Sequence, residues 1–146
     1  MTRTFPILTA LLALGACAQV PLADPRADQE GKLFDPPAQE KGALYVYRSG
    51  LLGIARPIDV AIAGGASAQL ASNTYLRLEG PPGPIDVQCR VGDKTGGNQI
   101  EIVPGRTRFV EVSMKVTALL PGCAVTEVSP DQGQAAVKAG KRVVPQ

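Results

Sequence analysis

Three cysteines, thirteen carboxylates and no histidine bound the chemistry open to this chain. Without histidine there is no Ser-His-Asp triad, no Cys-His pair and no imidazole ligand for a metal. Cys17, Cys89 and Cys123 contain no Cys-X-X-Cys spacing, so a redox or nucleophilic thiol would lack its usual activator. The acids Asp59, Asp86, Glu101 and Glu111 alternate with apolar residues and are expected to face water from separate strands. Two of them meeting across neighbouring strands would form the acid/base pair a glycosidase needs. That possibility defines the alternative reading, a small carboxylate-dependent hydrolase acting on glycans.

The basic residues suggest contact rather than catalysis. Arg106 and Arg108 lie on one side of a strand start, while Arg48 and Arg56 bracket the apolar run Leu51 to Ala55. A surface loop carrying Leu51, Leu52 and Ile54 between Arg48 and Arg56 is the expected contact element. The competing expectation is that the same run folds under a sheet as part of the core. Gly50 and Gly53 do not make a phosphate loop, since no Gly-Lys-Ser/Thr ending follows. No catalytic residue, cofactor or metal is assigned.

The first residues read as an address. Met1-Thr-Arg-Thr is a short positive start, Phe5 to Leu14 an apolar run, and Leu14-Gly15-Ala16-Cys17 closes it with small residues before a cysteine. An apolar run of about ten residues is short for a membrane span. The order resembles the lipobox of bacterial lipoproteins, in which the cysteine is acylated and becomes the new N-terminus. On that resemblance, residues 1–16 are a lipoprotein signal peptide and Cys17 carries the lipid. Acyl chains bury at about 0.8 kcal/mol per CH₂, so several of them anchor stably. Similarity to the Gram-negative sorting rule adds that Ala18 after the cysteine favours the outer membrane, with the folded part in the periplasm. Removing Met1 to Ala16 takes one of fifteen basic residues and none of thirteen acids. The remaining near-neutral charge does not suit a nucleic-acid binder. The expected partners are the membrane, through Cys17, and an envelope protein or glycan.

Assigning Cys17 to lipid leaves Cys89 and Cys123 as an even pair in an oxidising compartment, and a disulfide is the economical outcome. Ile85, Val87, Cys89 and Val91 share one face of a strand, and Cys123 alternates with Val125, so both thiols point to the apolar side. Closing a loop of about 34 residues is worth about 3 to 4 kcal/mol in the chain-entropy model.

The elements that must position these groups are short. Gly and Pro together make 29 of 146 residues, which favours turns over long helices. Residues 17–41, rich in Pro, Asp and Ala, read as an extended tether. Strands are expected at Ala43–Arg48, Pro57–Ile62, Ser67–Leu70, Thr74–Leu78, Ile85–Val91, Ile100–Val103, Thr107–Val116 and around Cys123–Glu127, with turns at Gly64-Gly65, Gly80–Gly83, Gly92–Gly97 and Pro104-Gly105. Ser129-Pro130-Asp131-Gln132 supplies an N-cap, a first-turn proline and a capping-box partner, so one short helix runs to Gly140 and is expected to lid one end of the sheet. The pattern describes an all-β domain, a small antiparallel β-sandwich of about seven to eight strands with one C-terminal helix.

Ala43-Leu-Tyr-Val-Tyr-Arg48, Gly50-Leu-Leu-Gly-Ile-Ala55, Leu70-Ala-Ser-Asn-Thr-Tyr75, Glu79-Gly-Pro-Pro-Gly83, Val103-Pro-Gly105 and Glu127-Val-Ser-Pro-Asp-Gln-Gly133, in that order, resemble the DUF2846 family of bacterial lipoproteins. The similarity spans about residues 42–142 and implies a β-sandwich on a lipid anchor, with no catalytic residue. A weaker similarity to PEGA-type envelope modules lies in Pro-Pro-Gly followed by the Ile-Asp-Val strand. The expected protein is a non-enzymatic binding or structural lipoprotein at the periplasmic face of the outer membrane.

Overall fold

The structure is a computed structural model and describes residues 19–117 and 120–146. The expected signal segment and Cys17 lie outside the described residues. Among the described residues nine strands form two facing sheets. The first sheet holds β1 (Gly42–Arg48), β4 (Thr74–Gly80), β7 (Thr107–Thr117), β8 (Leu120–Val128) and β9 (Lys141–Arg142), in the order β8-β7-β1-β4-β9. The second holds β2 (Ile58–Ile62), β3 (Ala66–Leu70), β5 (Gly83–Val91) and β6 (Lys94–Ile102), in the order β3-β2-β5-β6. Pairing is antiparallel except for β1 with β7 and β4 with β9.

Strand alternation sorts the apolar side chains into two cores. Leu44 and Val46 of β1 join Leu76, Val110 and Val112 on the inner face of the first sheet and meet Val60, Val87, Cys89 and Ile100 of the second. Tyr45 and Tyr47 point the other way and gather with Tyr75, Phe109 and Val137 under the helices. Every residue of β1 is therefore buried, as a central strand covered on both faces requires. Among the described residues the few aromatic side chains are concentrated in that outer core, where Tyr45 stacks on Phe109 with centroids 5.1 Å apart.

Helix α2 (Pro130–Ala139) starts where expected, with the Ser129 side chain accepting from the Gln132 N–H. It does not lid an end. It lies across the outer face of the first sheet, over β7 and β1, with Gly133 against the Phe109 ring so closely that a Cβ would overlap it. An interior glycine costs helix propensity but allows this approach.

The expected tether at 17–41 is corrected. Helix α1 (Pro25–Gly31) occupies its middle, capped by Asp24, whose carboxylate accepts from the Ala27 N–H at 2.9 Å. Tyr45 donates to the Gly31 carbonyl at 2.7 Å and Tyr75 to that of Asp28 at 2.9 Å. Leu22 bridges to Val143, and the Ala23 N–H donates to the Arg142 carbonyl. The folded unit thus includes residues before Gly42, because two buried tyrosine hydroxyls take their acceptors from this segment. The Gly92–Gly97 turn is also shorter than expected: β6 begins at Lys94 and carries Gly96 and Gly97 within it. A Cβ at Gly96 would strike the Cys123 carbonyl, so this glycine lets β6 pass close to β8. There the Cys89–Cys123 disulfide joins β5 to β8, Cα atoms 6.2 Å apart, and ties the two sheets together.

Candidate functional site

The loop of residues 49–57 leaves the end of β1, crosses one end of the sandwich and enters β2. Continuing the alternation of Leu44 and Val46 turns Arg48 into the space between the sheets, where it is 1% exposed. Its guanidinium donates to four carbonyls: Arg56 at 2.7 Å, Leu70 at 3.0 Å, Leu52 at 3.0 Å and Gly53 at 2.9 Å. Burial pushes its pKa below the ordinary guanidinium value, yet an arginine remains a cation there. Its hydrogen-bond partners are carbonyl dipoles rather than a carboxylate, three of them in the loop itself.

The loop is wound around this buried side chain. Gly50 (φ 79°) and Gly53 (φ 68°) supply the left-handed backbone its turns need. Turn bonds run from the Ile54 N–H to Leu51 and from the Arg56 N–H to Gly53. Ser72, in the β3–β4 turn, donates to the Gly50 carbonyl, and Ser49 donates to Glu111 on β7. Gly53 sits against the Met114 methyl, with no room for a Cβ. Held from inside, the loop presents Leu51 at 68% exposure, Leu52 at 59% and Ile54 at 40%. The apolar run is therefore at the surface, not under the sheet.

Arg48 and Arg56 differ from their expected symmetry. Arg56 is exposed beside the leucines, but Arg48 does not flank the contact surface; it is the post inside the loop. The Leu44-Val46-Arg48 alternation was the available signal for that placement.

The candidate acids are kept apart. Asp59 accepts from Gln69 at 2.8 Å and pairs with Arg90 at 3.3 Å. Asp86 accepts from Gln99, Glu101 stands opposite Pro84, and Glu111 lies in the other sheet opposite Tyr47 and Thr126. No two of the four stand opposite one another in register. Arg108 pairs with Glu127 at 3.1 Å, whereas Arg106 is exposed. Among the described residues no three His, Cys, Asp or Glu side chains group as a metal site, and no helix is long and apolar enough to cross a membrane.

Two features of this end of the molecule were not anticipated. The β7–β8 hairpin projects past the end of β1 and exposes Val116, on the same strand face as Met114. The first described residues, Gln19 and Val20, line an open cleft with Ser72, Asn73, Ala139 and Lys141, immediately beside the loop. Their arrival there depends on the pairing of residues 21–23 with the C-terminal segment, which no local pattern announces.

Compared with known proteins, the chain is 24% identical over 131 residues to an uncharacterized protein of Haemophilus influenzae, covering 90% of this chain and 78% of that protein. No family model matches the chain, and no solved structure matches it.

Proposed function

We propose that this chain is a lipid-anchored, non-enzymatic module of the bacterial cell envelope, held by acyl groups on Cys17 at the periplasmic face of the outer membrane, and that it works through contact made by the 49–57 loop. The observation that carries the contact role is a rigid apolar tip: Leu51, Leu52 and Ile54 are held in solvent by a fully buried arginine, an arrangement that adds nothing to the core. A bonded Cys89–Cys123 pair accords with an oxidising compartment such as the periplasm. The ordered similarity to DUF2846 lipoproteins belongs to the same proposal.

Cell fractionation tests the anchor. The unaltered protein is expected in the membrane pellet, released only by detergent, and the Cys17→Ser form in the soluble fraction. Continued membrane residence of Cys17→Ser would defeat the lipid assignment. Crosslinking of the anchored protein in cells tests the loop, with contacts expected at residues 51–55 and lost on Leu51→Ser together with Leu52→Ser.

A further inference from the structure

The loop, the β7–β8 hairpin and the start of the described chain lie at one end of the sandwich. The strand directions require it: β7 runs parallel to β1, so the paired ends of β7 and β8 around Val116 lie on the side where β1 ends. Ser72 bonds the loop at Gly50 and shares the cleft lined by Gln19. Only Ala18 separates Cys17 from Gln19, and the two chain steps span at most about 7 Å. A lipid on Cys17 would therefore leave the protein on the same side as Leu51, Leu52 and Ile54.

The charge around this end has one predominant sign. Arg56 is exposed in the loop, Lys115 and Lys94 flank the hairpin, and Lys141 stands at the cleft. Three acids accompany them: Asp93, exposed and 3.9 Å from Lys94; Asp59, half-exposed and paired with the exposed Arg90; and Glu111, which accepts from Ser49 at the start of the loop. Exposed large apolar side chains ringed by cations match a bilayer interface, where the former enter the acyl boundary and the latter meet phosphate.

We infer that this end of the sandwich docks on the lipid surface that holds Cys17, with Leu51, Leu52 and Ile54 inserted and the surrounding basic residues on anionic headgroups. The inference rests on the lipid-anchor reading and names the occupant of its contact loop. The domain then sits flush on the bilayer instead of hanging from a tether, because α1 and the residues before it are folded onto the sheet. Its Gly80–Gly83 turn, at the opposite end of β4, is directed away from the membrane.

The test uses the acylated full chain, purified from membranes and reconstituted in vesicles of phosphatidylethanolamine and phosphatidylglycerol. An environment-sensitive fluorophore is attached to Leu52→Cys or, as the distal control, to Pro81→Cys. At position 52 a blue-shifted emission, quenched by bromine-labelled acyl chains, is expected; at position 81 the emission should match that in water. A water-like, unquenched probe at 52 on protein that floats with the vesicles would overturn the docking while leaving the anchor intact. Failure to float would instead count against the lipid assignment. A second measurement uses the unacylated Cys17→Ser chain from residue 17 onward, free of the apolar run at 5–14, whose weak partition onto the same vesicles should fall about tenfold or more when Leu51 and Leu52 become Ser. Unchanged partition, or in-cell crosslinks from position 52 to a protein in place of lipid, would overturn the proposal.

Discussion

Arg48→Met removes the post around which the loop is wound while roughly conserving side-chain volume. The guanidinium satisfies four carbonyls at 2.7 to 3.0 Å. Those of Leu52, Gly53 and Arg56 belong to an exposed loop and can turn to water. The Leu70 carbonyl belongs to a fully buried residue and has much less access to it. An orphaned buried acceptor costs about 1–3 kcal/mol, and hydrogen bonds to a charged donor contribute about 1.5–3 kcal/mol each before water replaces them. Against this, methionine spares the desolvation of a buried charge, a term that can offset much of the loss. The expected balance is a destabilisation of about 2 kcal/mol, measured as the urea midpoint with the disulfide intact and the slope unchanged. Loop order should fall further than global stability, so limited proteolysis should cut within residues 49–57 while the sheets stay protected. Arg48→Lys should recover little, because a single ammonium cannot fork to four carbonyls. If Arg48→Met matched the parent in both stability and loop protection, the role of the buried guanidinium as the loop's support would be refuted.

Other perturbations probe other parts of the fold. Replacing Cys89 and Cys123 with Ala should cost about 3 to 4 kcal/mol by the chain-entropy argument for the closed loop, seen as a lower denaturation midpoint; an unchanged midpoint would mean the pair does not constrain the unfolded chain. Gly133→Ala should destabilise by about 1–3 kcal/mol, although alanine is the better helix former, because its methyl meets the Phe109 ring; a gain in thermal stability would contradict that close contact. Burial opposes ionisation of Asp28, but hydrogen bonds to its carboxylate from the Lys32 ammonium and the Arg142 N–H outweigh it and hold the carboxyl below its usual pKa. A depressed folded value means its contribution is complete above the unfolded pKa and is lost as pH falls through the folded one, so amides of α1 should lose exchange protection in acid, an effect that Asp28→Asn should flatten. Leu51→Ser with Leu52→Ser should leave the unfolding midpoint within about 0.5 kcal/mol of the parent, since both side chains are exposed; a large loss would make the loop part of the core.

The sequence by itself determined what local rules decide. Alternation marked most of the strands, Gly and Pro placed most turns, Ser129-Pro130 started α2, and the even pair left once Cys17 is given to lipid, with both thiols on the apolar side, pointed to the Cys89–Cys123 disulfide. The acids alternating with apolar residues were legible as separated surface groups for the same reason. Asp24-Pro25 carried the same capping signature as Ser129-Pro130, yet α1 was missed in a polar, proline-rich segment. Its stability comes from two tyrosine hydroxyls and the C-terminal edge, all distant in the chain.

Only the tertiary structure decided the rest, because each remaining feature depends on which surfaces meet. Tyr45 and Tyr47 show where the outer core must be once helices cover that face. Arg48 is the clearest case. Its type suggests a solvent-exposed flank, but its place on the inner face of a central strand buries it, and burial obliges its donors to find carbonyls. Three of those four carbonyls come from a loop brought over the end of the sandwich by the packing of two sheets, which is how one buried cation comes to display three apolar side chains.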